Sequence, residues 1–103
     1  MLIMRKPLAK ARDFARYTKL SDKELREESK NITPILRLGK NGINDSVIEE
    51  ISIHLKKRHL IKLKLLPALL DQYNRGEVAD DISKKTSSRI ILQVGGALVL
   101  FKK

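Results

Sequence analysis

Apolar residues in the middle of the chain recur with the period of a helix. Val47, Ile48, Ile51 and Leu55 fall on one stripe behind Asn44, a residue whose side chain caps helix starts. Glu49 and Glu50 come early in this stretch and Lys56, Lys57 and Arg58 late, the order a helix dipole favours, so a helix is predicted through about Arg58. The period then changes. Ile61-Lys62-Leu63-Lys64-Leu65 alternates, which predicts a strand with one apolar and one cationic face. Upstream, Ser21 and Glu24 form a capping-box pattern ahead of Leu25, predicting a short helix to about Asn31. Thr33-Pro34 stops it, and Ile35-Leu36-Arg37-Leu38 reads as a short strand ending at Gly39. Beyond Pro67 the pattern is ambiguous as far as Gly76, after which Val78, Ile82 and Thr86 mark a further helix. Ile90 to Val94 and Leu98 to Phe101 are two apolar strands, joined through Gly95-Gly96-Ala97 as a hairpin.

The order helix, strand, helix, strand, helix, strand, strand predicts a single compact α/β domain: a four-stranded mixed sheet packed by helices, its first two strands parallel through a right-handed crossover. Lys62 and Lys64 share one side of their strand, so part of one sheet face must meet water or phosphate. The last hairpin is apolar on both faces, and the first helix is the candidate to cover its second side.

Composition sharpens this outline. With 103 residues there is room for one domain, read as 20–103, preceded by a basic arm over 1–19. Lys and Arg number 22 against 12 Asp and Glu, a net charge of +10 that a polyanion would neutralise, so nucleic acid is the first partner to consider. The first 20 residues carry six of those cations against Asp13 alone, with Leu8, Phe14 and Tyr17 as a partial helical stripe and Pro7 at a first helical position. The arm is otherwise poor in core pattern.

Other chemistries are excluded or unsupported. The absence of cysteine removes disulfides, thiolate metal sites and cysteine nucleophiles. No apolar run approaches the roughly 20 residues that span a bilayer, and Met1 to Met4 is too short for a signal-peptide core, so a cytoplasmic protein without membrane contact is expected. His54 and His59 lack the spacing of a helical metal pair, and no metal or cofactor is expected. Ser87-Ser88-Arg89 and Asp80-Asp81 read as helix flanks rather than a nucleophile or an acid/base dyad, and the chain is not expected to be an enzyme.

The candidate binding element is Gly39-Lys40-Asn41-Gly42, between a strand end and the start of the best helix. Free N–H groups and the helix dipole favour an anion there. The glycines let a phosphate approach the backbone, Lys40 supplies a cation, and Asn41 tolerates a left-handed turn. Arg37 precedes this loop, Lys62 and Lys64 add cations on the second strand, and Lys56, Lys57 and Arg58 lie about a helix length away, ~20 Å at 1.5 Å per residue. Aromatic residues are only Phe14, Tyr17, Tyr73 and Phe101, too scattered for a base-stacking sheet, so recognition is expected to lean on phosphate and shape.

The runs Pro34-Ile35-Leu36-Arg37-Leu38-Gly39-Lys40-Asn41-Gly42, Val47-Ile48-Glu49-Glu50-Ile51, His59-Leu60-Ile61-Lys62-Leu63-Lys64, Gln93-Val94-Gly95 and Leu98-Val99-Leu100-Phe101-Lys102, in that order, resemble the CRM (chloroplast RNA splicing and ribosome maturation) or YhbY-like family. The resemblance runs from about Leu20 to Lys103. It implies an RNA-binding domain similar to the C-terminal domain of bacterial initiation factor three, a monomer whose partner is structured RNA of the large ribosomal subunit precursor. It also implies that the family's RNA-contacting loop is Gly39, Lys40, Asn41 and Gly42, and that its basic strand is Ile61, Lys62, Leu63 and Lys64. The alternative is a basic chromatin or RNA-coating protein similar to Alba, which would bind duplex DNA cooperatively as a dimer.

Overall fold

The computed structural model describes residues 14–103. The arm's Pro7 and Leu8, and the first 13 residues as a whole, lie outside the described residues. From Phe14 the chain enters a 3₁₀ turn, Arg16–Lys19, and then a helix α1, Asp22–Ser29. Ser21 and Glu24 make the expected reciprocal cap: Ser21 Oγ accepts from Glu24 N at 3.2 Å and Glu24 Oε1 accepts from Ser21 N at 2.9 Å. Strand β1, Leu36–Leu38, follows, and then helix α2, Asp45–Arg58, whose start is tied by Asn44 Oδ1 accepting from Val47 N at 2.9 Å. His59 ends α2 at φ 67°, and its Nδ1 lies 2.9 Å from the Lys102 carbonyl, fastening the helix end to the last strand.

Strand β2 runs Leu60–Leu65 and leads into a single helical turn α3, Pro67–Leu70, with Pro67 at its first position. Helix α4, Arg75–Thr86, begins one residue before the Gly76 at which the sequence pattern resumes. Asn74 Oδ1 caps it, accepting from Gly76 N at 2.9 Å and Glu77 N at 3.1 Å. The hairpin is β3, Arg89–Val94, and β4, Ala97–Phe101, so the turn is Gly95-Gly96 alone. Gly96 is required by close approach: a Cβ there would stand 2.7 Å from the Leu65 carbonyl oxygen.

The four strands lie in the order β1-β2-β4-β3, with β1 parallel to β2 and the other pairs antiparallel. Alternation along β2 divides the core in two. On one face Ile61, Leu63 and Leu65, with Leu98 and Leu100 of β4, pack against Ile51 and Leu55 of α2 and Val78 and Ile82 of α4. Each such fully buried aliphatic side chain contributes roughly 1.5–3 kcal/mol. On the other face Leu60, Val99, Phe101 and Ile91 are covered by Leu25 of α1 and by Tyr17, so the first helix does close the hairpin's second side. A bulge between Ile90 and Leu92 turns Ile91 onto this second face together with Leu92.

The arm's end is part of this second core. Tyr17 is only 8% exposed and Phe14 and Leu20 pack beside it, so the low core content expected of the arm is corrected from Phe14 onward. Burial pushes the Tyr17 hydroxyl's pKa above its ordinary value, an effect that the neighbouring Arg16 partly offsets. An ion pair ties the segment to α1 through Arg16 and Glu28, and a second, Arg89 of β3 with Asp22 at 2.7 Å, ties α1 to the sheet.

Candidate nucleic-acid interface

Both parallel strands end at the same edge of the sheet. The Leu38-to-Leu65 register places the Gly39–Gly42 turn beside the exit of β2, and the Gly95-Gly96 turn lies at the same end because Lys64 pairs with Ala97. Gly42 N donates to the Gly39 carbonyl at 3.0 Å, closing a tight turn with Lys40 and Asn41 exposed at its corners. The left-handed residue is Gly42, at φ 75°, whereas Asn41 does not adopt positive φ; the expectation at Asn41 is corrected. Gly39 has ordinary φ, and a Cβ there would meet only Leu66 Cδ1 at 3.5 Å.

The helix start contributes less than expected. Ile43 and Asn44 separate the turn from α2, Asn44 takes the Val47 N–H, and Asp45 brings a carboxylate into the first turn. The anion-attracting groups are therefore side chains. Arg37 and Lys64 are lateral partners in the β1–β2 register, both exposed on the sheet face opposite α2 and α4, with half-buried Ala97 and 62%-exposed Val94 next in the same row. Among the described residues, neither they nor Lys40 form an ion pair with a carboxylate, a state they share with most of the described Lys and Arg; Lys30, Lys84, Lys85, Arg16 and Arg89 are the paired ones.

Four expected contact residues are placed otherwise. Lys62 is half-buried and its Nζ donates to the Ile32 carbonyl at 3.4 Å, so it braces the chain ahead of β1 and is less available than Lys64. Arg58 is half-buried with its guanidinium over the Phe14 ring, 5.2 Å from the centroid, a packing role. Lys56 and Lys57 are exposed at the far end of α2, the end of the sheet opposite the turn. Asp80 and Asp81 are helix-surface ion pairs with Lys84 and Lys85, and Ser88 Oγ shares a 2.7 Å hydrogen bond with Thr86 Oγ1.

One residue at this end was not anticipated. Tyr73, in the short link between α3 and α4, brings its hydroxyl and Cε2 within 3.8 and 3.9 Å of the position a Gly42 Cβ would take. No local pattern marks it, because its neighbour Gly42 is 31 positions away in sequence. The Asn74–Glu77 spacing, an N-cap pattern, was the available sign that α4 begins beside it.

A mixed sheet with helices on both faces, a glycine-bounded turn and uncompensated cations at one end together define a small basic α/β domain. The chain matches the CRS1 / YhbY (CRM) domain over residues 18–102, and it belongs to that family. It is 34% identical over 79 residues to the "Probable RNA-binding protein YqeI" of Bacillus subtilis, covering 77% of this chain and 80% of that one. It is 32% identical over 78 residues to a "Probable RNA-binding protein" of Methanocaldococcus jannaschii, covering 76% of this chain and 58% of the relative. The solution structure of a hypothetical protein from Staphylococcus aureus superposes with a TM-score of 0.67 at 31% identity, over 80% of this chain and 83% of that chain.

Proposed function

We propose that this protein is a non-enzymatic RNA-binding factor that acts in the cytoplasm as a monomer on structured precursor RNA of the large ribosomal subunit. The turn Gly39–Gly42 sits against the RNA backbone, with Lys40, Arg37 and Lys64 as its phosphate-binding cations and Lys56 and Lys57 meeting the same RNA farther along. The observation that carries this reading is the gathering of three cations without carboxylate partners, among the described residues, around a turn whose corner residues Lys40 and Asn41 are exposed. The net charge of +10 supports it, as do relatives named as RNA-binding proteins. Family membership favours this over the Alba-like alternative.

Binding of a hairpin RNA followed by fluorescence anisotropy tests the reading. If ~6 phosphates are engaged, affinity should fall about 10³-fold between roughly 50 and 200 mM salt. A flat titration, or equal affinity for duplex DNA, would overturn RNA recognition. Crosslinking in the native cell should enrich large-subunit precursor RNA; enrichment of other RNAs alone would overturn the ribosomal assignment while leaving RNA binding in place.

A further inference from the structure

Beside the turn lies a cleft of about 470 Å³ between Tyr73 and the outer side of α4, within the range of sites that hold small molecules, roughly 300–1,000 Å³. Tyr73 forms one wall, Ile43 and Val78 are apolar lining, Glu77, Asp80 and Asp81 bring carboxylates to it, and Lys84 brings one cation, which is paired with Asp80. Tyr73 is 50% exposed, so its ring is not consumed by the core. Its backbone is nonetheless fixed: Tyr73 N donates to the Leu69 carbonyl at 3.0 Å, Leu69 is fully buried, and Asn74 next to it caps α4. An exposed aromatic ring on a rigid link, with its tip over buried Gly42, is a stacking surface set one step from the proposed phosphate path.

We propose that this cleft receives one unpaired base of the bound RNA, stacked on Tyr73, and that it prefers guanine. The inference rests on the RNA-binding reading above and extends it from backbone to base. Carboxylates repel phosphate, so the nucleotide part that enters must present hydrogen-bond donors. Asp80 and Asp81 are engaged by Lys84 at 3.4 Å and Lys85 at 3.3 Å, but Glu77 makes no ion pair among the described residues. Nor does it turn back to its helix cap as Glu24 does at Ser21: Asn74 accepts from the Glu77 backbone, and no return bond from the Glu77 carboxylate forms. Its two oxygens face solvent and accept from no side chain or backbone group among the described residues. Guanine alone offers two adjacent donors, N1–H and the N2 amino group, to a carboxylate's pair of oxygens. Phosphate contacts then position the RNA at Lys40, Arg37 and Lys64, and the base contact at Tyr73 and Glu77 specifies it.

Hairpin RNAs with an all-uridine loop and with one guanosine in that loop, titrated against the parent protein, Tyr73→Ala, Tyr73→Phe and Glu77→Gln, test this. The parent should bind the guanosine loop more tightly. Tyr73→Ala should lose about tenfold with an unchanged salt slope, since stacking is lost and no phosphate contact is; Tyr73→Phe should bind like the parent. Glu77→Gln should reduce the preference for guanosine over uridine without weakening uridine-loop binding. If the parent binds both hairpins with the expected salt dependence and Lys40→Ala weakens it, yet Tyr73→Ala keeps parental affinity, the base site is wrong and the backbone reading stands. If the parent binds neither hairpin, both are wrong. Should Tyr73→Ala fail to fold, the guanosine-to-uridine ratio of Glu77→Gln decides, and an unchanged ratio overturns the proposal.

Discussion

Arg37 and Lys64 are side by side on parallel strands, paired Cα to Cα and both open to solvent, at the end of the sheet where the Gly39–Gly42 turn emerges. Like charges in lateral register destabilise a sheet, by an amount of order 0.2–1 kcal/mol, so the fold alone gives no reason for this pair. An anion bridging them converts the repulsion into attraction. The pair thereby separates what the domain needs for folding from what it needs for binding.

Lys64→Thr should therefore leave stability unchanged or raise it by up to about 0.5 kcal/mol, since a β-branched residue replaces one of two like charges. The same change should weaken RNA binding and lower the slope of log affinity against log salt by about one. Lys62→Thr should behave in reverse, with a stability loss from the broken contact to the Ile32 carbonyl and a smaller loss of affinity. Thermal melts and salt titrations on both variants check this; equal affinity losses at the two lysines would show that burial does not distinguish them.

The two loop glycines should respond differently to alanine. Gly42 holds φ 75°, where an L-residue costs about 1–2 kcal/mol, while Gly39 has ordinary φ and room for a methyl group against Leu66. Urea denaturation should place Gly39→Ala close to the parent and Gly42→Ala below it by that amount. Gly96→Ala should cost about 1–3 kcal/mol as well, for a different reason: its Cβ meets the Leu65 carbonyl at 2.7 Å, and that backbone is held in the sheet. Equal stability of the Gly39 and Gly42 variants would contradict the turn geometry.

What was legible in the sequence was what short-range physics decides. Ser21 with Glu24 and Asn44 with Val47 are caps formed within three residues, and the alternation of Ile61 to Leu65 needs only the strand period. What was not legible depends on partners far along the chain. Arg58 looks like its neighbours Lys56 and Lys57 until Phe14 is found beneath it, and Lys62 looks like Lys64 until the Ile32 carbonyl is found within reach. Asn41 was the plausible left-handed residue by type, yet the positive φ falls on Gly42, the last residue of the turn, whose N–H closes onto Gly39. Tyr73 carried no signal at all, since its importance lies in meeting Gly42.

The boundary of the arm can be tested by truncation. Removing residues 1–13 should leave the melting of the domain close to that of the full chain if those residues contribute charge rather than core. Removing 1–19 should be far more costly, because it also strips Phe14 and Tyr17 from the second core and breaks the Arg16–Glu28 pair. Tyr17→Ala isolates the main contribution and should cost roughly 3 kcal/mol. A 20–103 fragment that melts cooperatively at the full-length temperature would show that the second core closes without Tyr17.

The cap of α1 makes a prediction about acid. Glu24's carboxylate accepts from the Ser21 N–H, and this bond foremost, with the Ser21 side chain adding to it, holds the Glu24 carboxyl below its ordinary pKa of 4.5, while the Glu24 N–H donates to Ser21 Oγ in return. A carboxyl lowered in the folded state stabilises that state above the unfolded pKa, and the contribution is lost as pH falls through the folded value. Because α1 covers Val99 and Phe101 through Leu25, loosening its first turn exposes the second core. Glu24→Ala retains the Ser21 Oγ bond to the residue 24 backbone and removes only the titrating partner. The stability difference between parent and Glu24→Ala, measured by urea denaturation, should be fully present near pH 7 and should narrow as pH falls below 4.5. A difference that stays constant down to about pH 3, or widens, would mean that the carboxylate is not what ties the start of α1.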